Sequence, residues 1–191
     1  WDPSNDVGKP FINGGGHAMG APINDNLINT MLHLYNPTQY IVEPQVSFEY
    51  GKWPERLMPG IRSDFMYSMF YSIHKSNELK KYQEQKMGCT YDWVIRSRFD
   101  VATPSGPLEL HSLDNSNIYV AGGCFDTSNG YLDSLAYSNS ENMDIYSDTY
   151  NQIDNIVDSS DIRVCGEYVL RKHIDGNNIQ VIETGTHKLY R

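Results

Sequence analysis

The chain is poor in cysteine, in basic runs and in long apolar stretches, and each shortage closes off a class of protein. Its three cysteines, Cys89, Cys124 and Cys165, are widely spaced and odd in number. No Cys-x-x-Cys or Cys/His metal spacing occurs, so neither a disulfide framework nor a zinc site is expected. No apolar run approaches the ~20 residues of a bilayer crossing, so no membrane span is expected. Lys and Arg number 15 against 24 Asp and Glu, a formal net charge of −9, and no basic stretch exceeds Leu79-Lys80-Lys81-Tyr82. A nucleic-acid binder displaces counterions with a basic surface, so nucleic acid is not an expected partner. Asn36-Pro37-Thr38 is blocked as a glycosylation acceptor by its proline. Together with the unpaired cysteines, this points to the cytoplasm. No signal peptide is recognisable at the start.

What remains is an ordinary globular balance, 39% hydrophobic and 20% charged, with 14 Tyr. Tyrosine suits sugar and base recognition through its flat face and hydroxyl, and it packs cores equally well. Residues 1–29 read as largely loop, broken by Asp2-Pro3-Ser4-Asn5 and Asn13-Gly14-Gly15-Gly16. The triple glycine lacks the preceding strand and following Lys-Ser/Thr of a phosphate loop. A short helix is expected over 26–35 and strand over 40–43 and 45–48. Helical spacing of Phe65, Met66, Met69, Phe70, Ile73 and Leu79 predicts a helix over 65–86, capped by Asp64 and ended by Met87-Gly88. Lys75, Glu78, Lys81 and Glu84 fall on its wet side. Strands are expected over 91–99, 117–121, 132–137, 179–183 and 187–190. Ser138-Asn139-Ser140-Glu141 has capping-box spacing for a helix reaching about Val157, and Asp161 is expected to cap another that ends near Asp175-Gly176. Alternating strands and helices indicate a layered α/β fold.

Chemistry concentrates in Tyr91-Asp92-Trp93-Val94-Ile95-Arg96-Ser97-Arg98-Phe99-Asp100. Strand alternation puts Arg96, Arg98 and Asp100 on one face. Two guanidiniums and a carboxylate at a strand's C-terminal end suit a diphosphate, with the carboxylate on a bridging divalent ion. A structural Arg–Asp ion pair at a sheet edge fits the same residues.

This segment follows Ser68-Met69-Phe70-Tyr71-Ser72 and Asn77-Glu78-Leu79-Lys80. It precedes Gly130-Tyr131-Leu132-Asp133-Ser134-Leu135-Ala136 and Cys165-Gly166-Glu167-Tyr168-Val169-Leu170. The set resembles a group of GT-A-type nucleotide-sugar glycosyltransferases of microbial and viral surface-glycan synthesis, from about Tyr35 onward. The resemblance implies a GT-A-like, mainly parallel sheet flanked by helices, in a single domain over 1–191 with the 91–99 strand central. It implies a nucleotide-sugar donor, UDP-sugar first, and a glycan or glycoprotein acceptor. For a viral member the location would be the host cytoplasm. It also implies Mn²⁺ or Mg²⁺ on an Asp-x-Asp motif, of which Arg98-Phe99-Asp100 keeps only the last Asp. His187 or Asp133 would complete the metal sphere, or Arg96 and Arg98 would carry the diphosphate charge without one.

By the same resemblance, Asp133 contacts sugar hydroxyls and Glu167 is the general base on the acceptor. A solvent-facing Asp and a helix-surface Glu are the plainer readings of those two positions. His173 reads as a helix C-terminal histidine favoured by the dipole. Such folds open with two strands that hold the base, so the sequence is expected to enter the fold partway, truncated ahead of Trp1. Two rivals remain: a non-catalytic carbohydrate-binding or assembly module of the same fold, and a hydrolase with paired carboxylates.

Overall fold

The structure, a computed structural model, describes residues 24–44, 46–98, 101–102, 108–122, 130–186 and 188–189. The chain divides into two compact units, Trp1–Ser47 and Phe48–Arg191. In the first, helix α1 (Asp25–Tyr35) starts where the Asn24 side chain accepts from the Leu27 N–H at 3.0 Å. It stops at Asn36, whose φ of 42° is the left-handed conformation that asparagine tolerates, just before Pro37. The described residues of 40–48 form no strand. Pro44 supplies no ladder donor there.

The second unit carries α2 (Ser63–Met87), β1 (Val94–Ser97), β2 (Val101–Ala102), β3 (Ile118–Gly122), β4 (Leu135–Ser138), α3 (Ser140–Asp158), α4 (Gly166–Gly176), β5 (Val181–Thr186) and β6 (Lys188–Leu189). The larger sheet has the order β1-β4-β3-β5, and β2 and β6 form a separate antiparallel pair. Here two expectations are corrected. The sheet is mixed rather than mainly parallel, because β4 runs antiparallel to both β1 and β3, and only β3 and β5 are parallel. The 91–99 segment is not central: β1 lies at the sheet's edge. The reason lies in the connections. A parallel neighbour needs a long crossover, usually helical, and in the larger sheet only β4 and β5 are separated by helices, α3 and α4.

One sheet face packs on the helices through Ile118, Val120 and Ala136, against Phe70 of α2, Tyr146 of α3 and Leu170 of α4. Burying each such large side chain contributes ~1.5–3 kcal/mol. The opposite face is covered around Tyr119 and Tyr137, whose rings stack 5.1 Å apart at 5°, with Trp93 and Leu110 against them. Among the described residues, no helix is long and apolar enough to cross a membrane.

Helix ends refine the sequence reading. α2 begins at Ser63 with Arg62 as N-cap. Asp64 sits in the first turn and accepts from Arg62 Nη2 at 2.6 Å rather than capping. Gly88, at φ 67°, closes it in the left-handed region open to glycine. Glu84, expected on the wet side, is buried: it accepts from the Tyr91 N–H at 2.8 Å and pairs with Lys80 at 3.2 Å. Burial pushes its carboxyl up, but bonds from Ser140, Tyr91 and Lys80 outweigh that and hold it below its ordinary value.

α3 is capped by Asn139, which accepts from the Asn142 N–H at 2.8 Å. The Ser138 hydroxyl turns instead to the Asn117 carbonyl at 2.8 Å. α4 starts at Gly166 with Cys165 as N-cap, four residues later than a cap at Asp161 predicts. Residues before it are held straight by a parallel bridge, with the Val164 N–H on the Arg56 carbonyl at 2.8 Å and the Met58 N–H on the Val164 carbonyl at 3.1 Å.

Candidate functional site

Along β1 the side chains alternate: Val94, Arg96 and Arg98 are half-buried, while Ile95 and Ser97 are exposed. Arg96 is opposite Ala136 of β4, a residue of the helix-side core, so its guanidinium runs under α3 rather than into solvent. The Arg98 N–H donates to the Ser134 carbonyl at 3.0 Å, extending the ladder one step to a bend at Asp133 and Ser134. That bend breaks the strand alternation and brings Asp133 to Arg96.

The two meet imperfectly. Arg96 Nη2 is 3.6 Å from Asp133 Oδ2, with side-chain exposures of 15% and 9%. Among the described residues, Arg96 Nη1, Asp133 Oδ2 and the hydroxyl of fully buried Tyr146 have no hydrogen-bond partner. Burial pushes the Tyr146 phenol well above its ordinary value, while Arg96 draws it down and Asp133 pushes it up. The hydroxyl is therefore neutral and within electrostatic reach of both charges. Taking two charges out of water costs several kcal/mol per ion, which only close, fully satisfied pairs recover. This pair is close to buried and under-compensated.

A second close approach brings Glu167 alongside. Gly130 packs on the first turn of α4, where a Cβ would lie 2.7 Å from the Glu167 Cβ, and the Tyr131 N–H donates to the Glu167 carbonyl at 3.1 Å. Two residues of extended chain reach at most ~7 Å, so the Asp133 backbone stays within that distance of Tyr131. The Glu167 carboxylate also meets the buried Cys165 thiol, which burial and that carboxylate push up to about 12. Such a thiol stays protonated and is a poor nucleophile.

Of the six residues singled out by sequence, Arg96 and Asp133 are in contact, Arg98 lies beside them on the strand, and Glu167 lies against the segment leading to Asp133. Asp100 and His187 lie outside the described residues. Among the described residues, no group of three His, Cys, Asp or Glu gathers as a metal site. His173, read as a dipole-favoured helix end, is instead buried, its Nε2 at 2.8 Å from the Ile145 carbonyl. Tyr146 escaped the sequence reading because it belongs to an apolar helical stripe with Met143, Ile153 and Val157. Its only signal is a hydroxyl where the stripe needs none.

Two other features of the second unit offer polar or aromatic surface. Beside the opposite end of β1, a cavity of about 340 Å³ is lined by Glu84, Asp92, Asn115, Ser140, Glu141 and Asp144, among others. Along α2, the rings of Phe48, Tyr67 and Trp53 form a row with centroids 6.1 Å apart and planes within 15° of parallel. Trp53 holds this place at φ 54°, unusual for a bulky residue, with its indole N–H on Asp158 at 3.0 Å. Lys52 stands 4.6 Å over the Trp53 ring and 2.5 Å from Asp154.

No family model, curated protein or solved structure matches this chain.

Proposed function

We propose that this chain is a glycosyltransferase domain that moves a sugar from a nucleotide donor, a UDP-sugar first, to a glycan or glycoprotein acceptor. The observation that carries the proposal is the under-compensated Arg96–Asp133 pair, with Glu167 packed on the chain that leads to Asp133. Its unsatisfied guanidinium N–H and carboxylate oxygen are buried in the free protein, and a diphosphate and a sugar hydroxyl would complete them once the side chains turn outward. A site that pays in stability for unfilled polar groups is one that a ligand fills.

Arg96 and Arg98 take the diphosphate charge, and Asp133 orients the sugar hydroxyls. Glu167, in the first turn of α4, accepts the acceptor's proton as it attacks. Asp100 and His187 are the ligands proposed for Mn²⁺ or Mg²⁺. A lone carboxylate beside Arg98 holds a divalent ion poorly until phosphate oxygens join the sphere, so metal and diphosphate are expected to bind together. When bound, the metal would neutralise charge on the leaving diphosphate.

The test is thermal shift against a panel of nucleotide sugars, with and without Mn²⁺. A shift by one donor that Arg96→Met abolishes supports the reading, and no shift across the panel overturns it. Donor-dependent transfer that persists in excess EDTA removes the metal alone.

A second reading, a carbohydrate-binding module without catalysis, draws on the Phe48–Tyr67–Trp53 row. The rings stack on one another and Lys52 covers one Trp53 face, so a sugar would use the outer faces and edges of the row near Asp154 and Asp158. Glycan binding that Trp53→Ala removes, with no response to any nucleotide sugar, would favour it.

A further inference from the structure

We infer that Tyr146 is a positioning residue for the Arg96–Asp133 pair: its hydroxyl takes over the Asp133 carboxylate when an anionic ligand draws Arg96 outward. The inference rests on the donor-site reading above and assigns a residue which that reading leaves out.

Three observations lead to it. Tyr146 is fully buried on α3, between Met143 and Ile153 of the same core stripe, yet its hydroxyl has no partner among the described residues. Asp133 Oδ2 and Arg96 Nη1 are unsatisfied as well; Arg96 is paired with Ala136, which shares the core cluster with Tyr146, and the Tyr146 hydroxyl is within electrostatic reach of both charges. Arg96 retains more exposure than Asp133, 15% against 9% of the side chain, and at 3.6 Å it is not locked in a hydrogen bond. Of the two charged groups, the guanidinium is the freer to turn towards a ligand.

That turn has a physical obstacle. Removing one partner of a buried pair leaves an uncompensated charge, which is strongly destabilising. A phosphate that recruits Arg96 must overcome this cost unless another donor serves the carboxylate. Tyr146 is such a donor. Burial keeps its hydroxyl protonated, so it can donate to Asp133 Oδ2 without introducing a new charge. A hydrogen bond to a charged group is stronger than one between neutral groups and offsets a large part of the loss. With phenylalanine at this position the core would pack as well, and the pair would lose its second setting. An apolar residue would be the simpler choice for a helix stripe, and the hydroxyl is the part that packing does not explain.

The experiment uses UDP, which carries the diphosphate but no sugar, and inorganic pyrophosphate, which has no chromophore. In Tyr146→Phe the free protein is expected to melt at or above the wild-type temperature, because an unsatisfied buried hydroxyl is gone. Its affinity for UDP is expected to fall about tenfold or more, the equivalent of a charged hydrogen bond. In an Asp133→Asn background the same substitution should change UDP affinity little, since a neutral amide leaves no charge to hold. Pyrophosphate binding to the wild type should give a tyrosine absorption difference spectrum that Tyr146→Phe lacks.

Unchanged UDP affinity in Tyr146→Phe overturns the inference, as does an equal loss with and without Asp133. So does a melting temperature that falls along with affinity, the mark of a purely structural role. Absence of any tyrosine signal in the wild type overturns it without a variant. If Arg96→Met loses UDP while Tyr146→Phe does not, the inference alone fails. If the wild type binds neither UDP nor pyrophosphate, the donor-site reading fails and this inference with it.

Discussion

Gly130 and Glu167 touch so closely that a Cβ on Gly130 would stand 2.7 Å from the Glu167 Cβ and 3.0 Å from its carbonyl carbon. Backbone cannot swing aside as a long side chain can, so Gly130→Ala must push the first turn of α4 away from the segment leading to Asp133. The expected cost is about 1–3 kcal/mol in urea unfolding, the range for overpacking a close contact. Activity should fall further than stability explains, because Glu167 moves relative to Asp133. Transfer assays at a temperature where the variant is fully folded separate the two effects.

The Arg96–Asp133 pair makes an opposite-signed prediction. Arg96→Met alone leaves a buried carboxylate without its cation and should destabilise by about 3 kcal/mol. Arg96→Met with Asp133→Leu removes both charges and should recover most of that loss, while the proposed nucleotide-sugar binding should stay lost. Denaturation midpoints and thermal shift with donor measure the two properties on the same samples. A double variant as unstable as the single one would mean that the pair is a structural ion pair.

Burial holds the His173 imidazole below its ordinary value of 6.5, with the Ile145 carbonyl and Asp148 acting more weakly in the other direction. The folded protein therefore keeps the ring neutral to lower pH than the unfolded chain, which protonates it below about pH 6.5. Stability from this group is therefore present above that pH and lost as the pH falls. Between about pH 6.5 and 5.5 ordinary carboxylates stay almost wholly ionised, so stability lost in that window reports imidazole rather than carboxylate protonation. His173→Gln should flatten the acid limb of a urea-midpoint profile over that range and leave the neutral limb parallel.

Arg56 ends α3 from outside. Its guanidinium donates to the carbonyls of Val157 at 2.8 Å, Ser160 and Ile162 at 3.1 Å, and the Val157 carbonyl also accepts from the Ser160 N–H at 3.4 Å. Arg56→Lys keeps the charge but loses the planar fork, so it should recover little of the ~2–3 kcal/mol lost in Arg56→Ala. Guanidinium melts of the two variants check this.

Local signals carried well from sequence to structure. The Met66, Phe70 and Ile73 spacing predicts α2, and Gly88 predicts its end, because helical periodicity and left-handed caps are properties of a few adjacent residues. Strand order was not legible in the same way. Whether β1 is central or at an edge depends on β4 returning antiparallel between β1 and β3, a pairing over some forty residues that no local pattern encodes. The delayed start of α4 has the same origin, since Asp161 offers a good cap but Val164 is claimed by Leu57 and Arg56.

In the candidate site, strand alternation placed Arg96 and Arg98 on one face. Asp133 reaches them only through a bend. Tyr146 was hidden because a hydroxyl within an apolar stripe looks like packing until its neighbours are known.

The parallel pairing of β3 with β5 governs when the sheet can be completed. β1, β4 and β3 are joined by antiparallel ladders within one stretch of chain, but β3 keeps an open edge until residues 181–186 arrive from beyond α3 and α4. Ile118 pairs with Val181 and Val120 with Glu183 across more than sixty intervening residues, so loop closure comes late and the rate is set by non-local contacts. During synthesis the apolar edge of β3 stays unpaired until β5 leaves the ribosome, and a ribosome stalled before residue 181 would expose a strand primed to pair with a neighbouring chain.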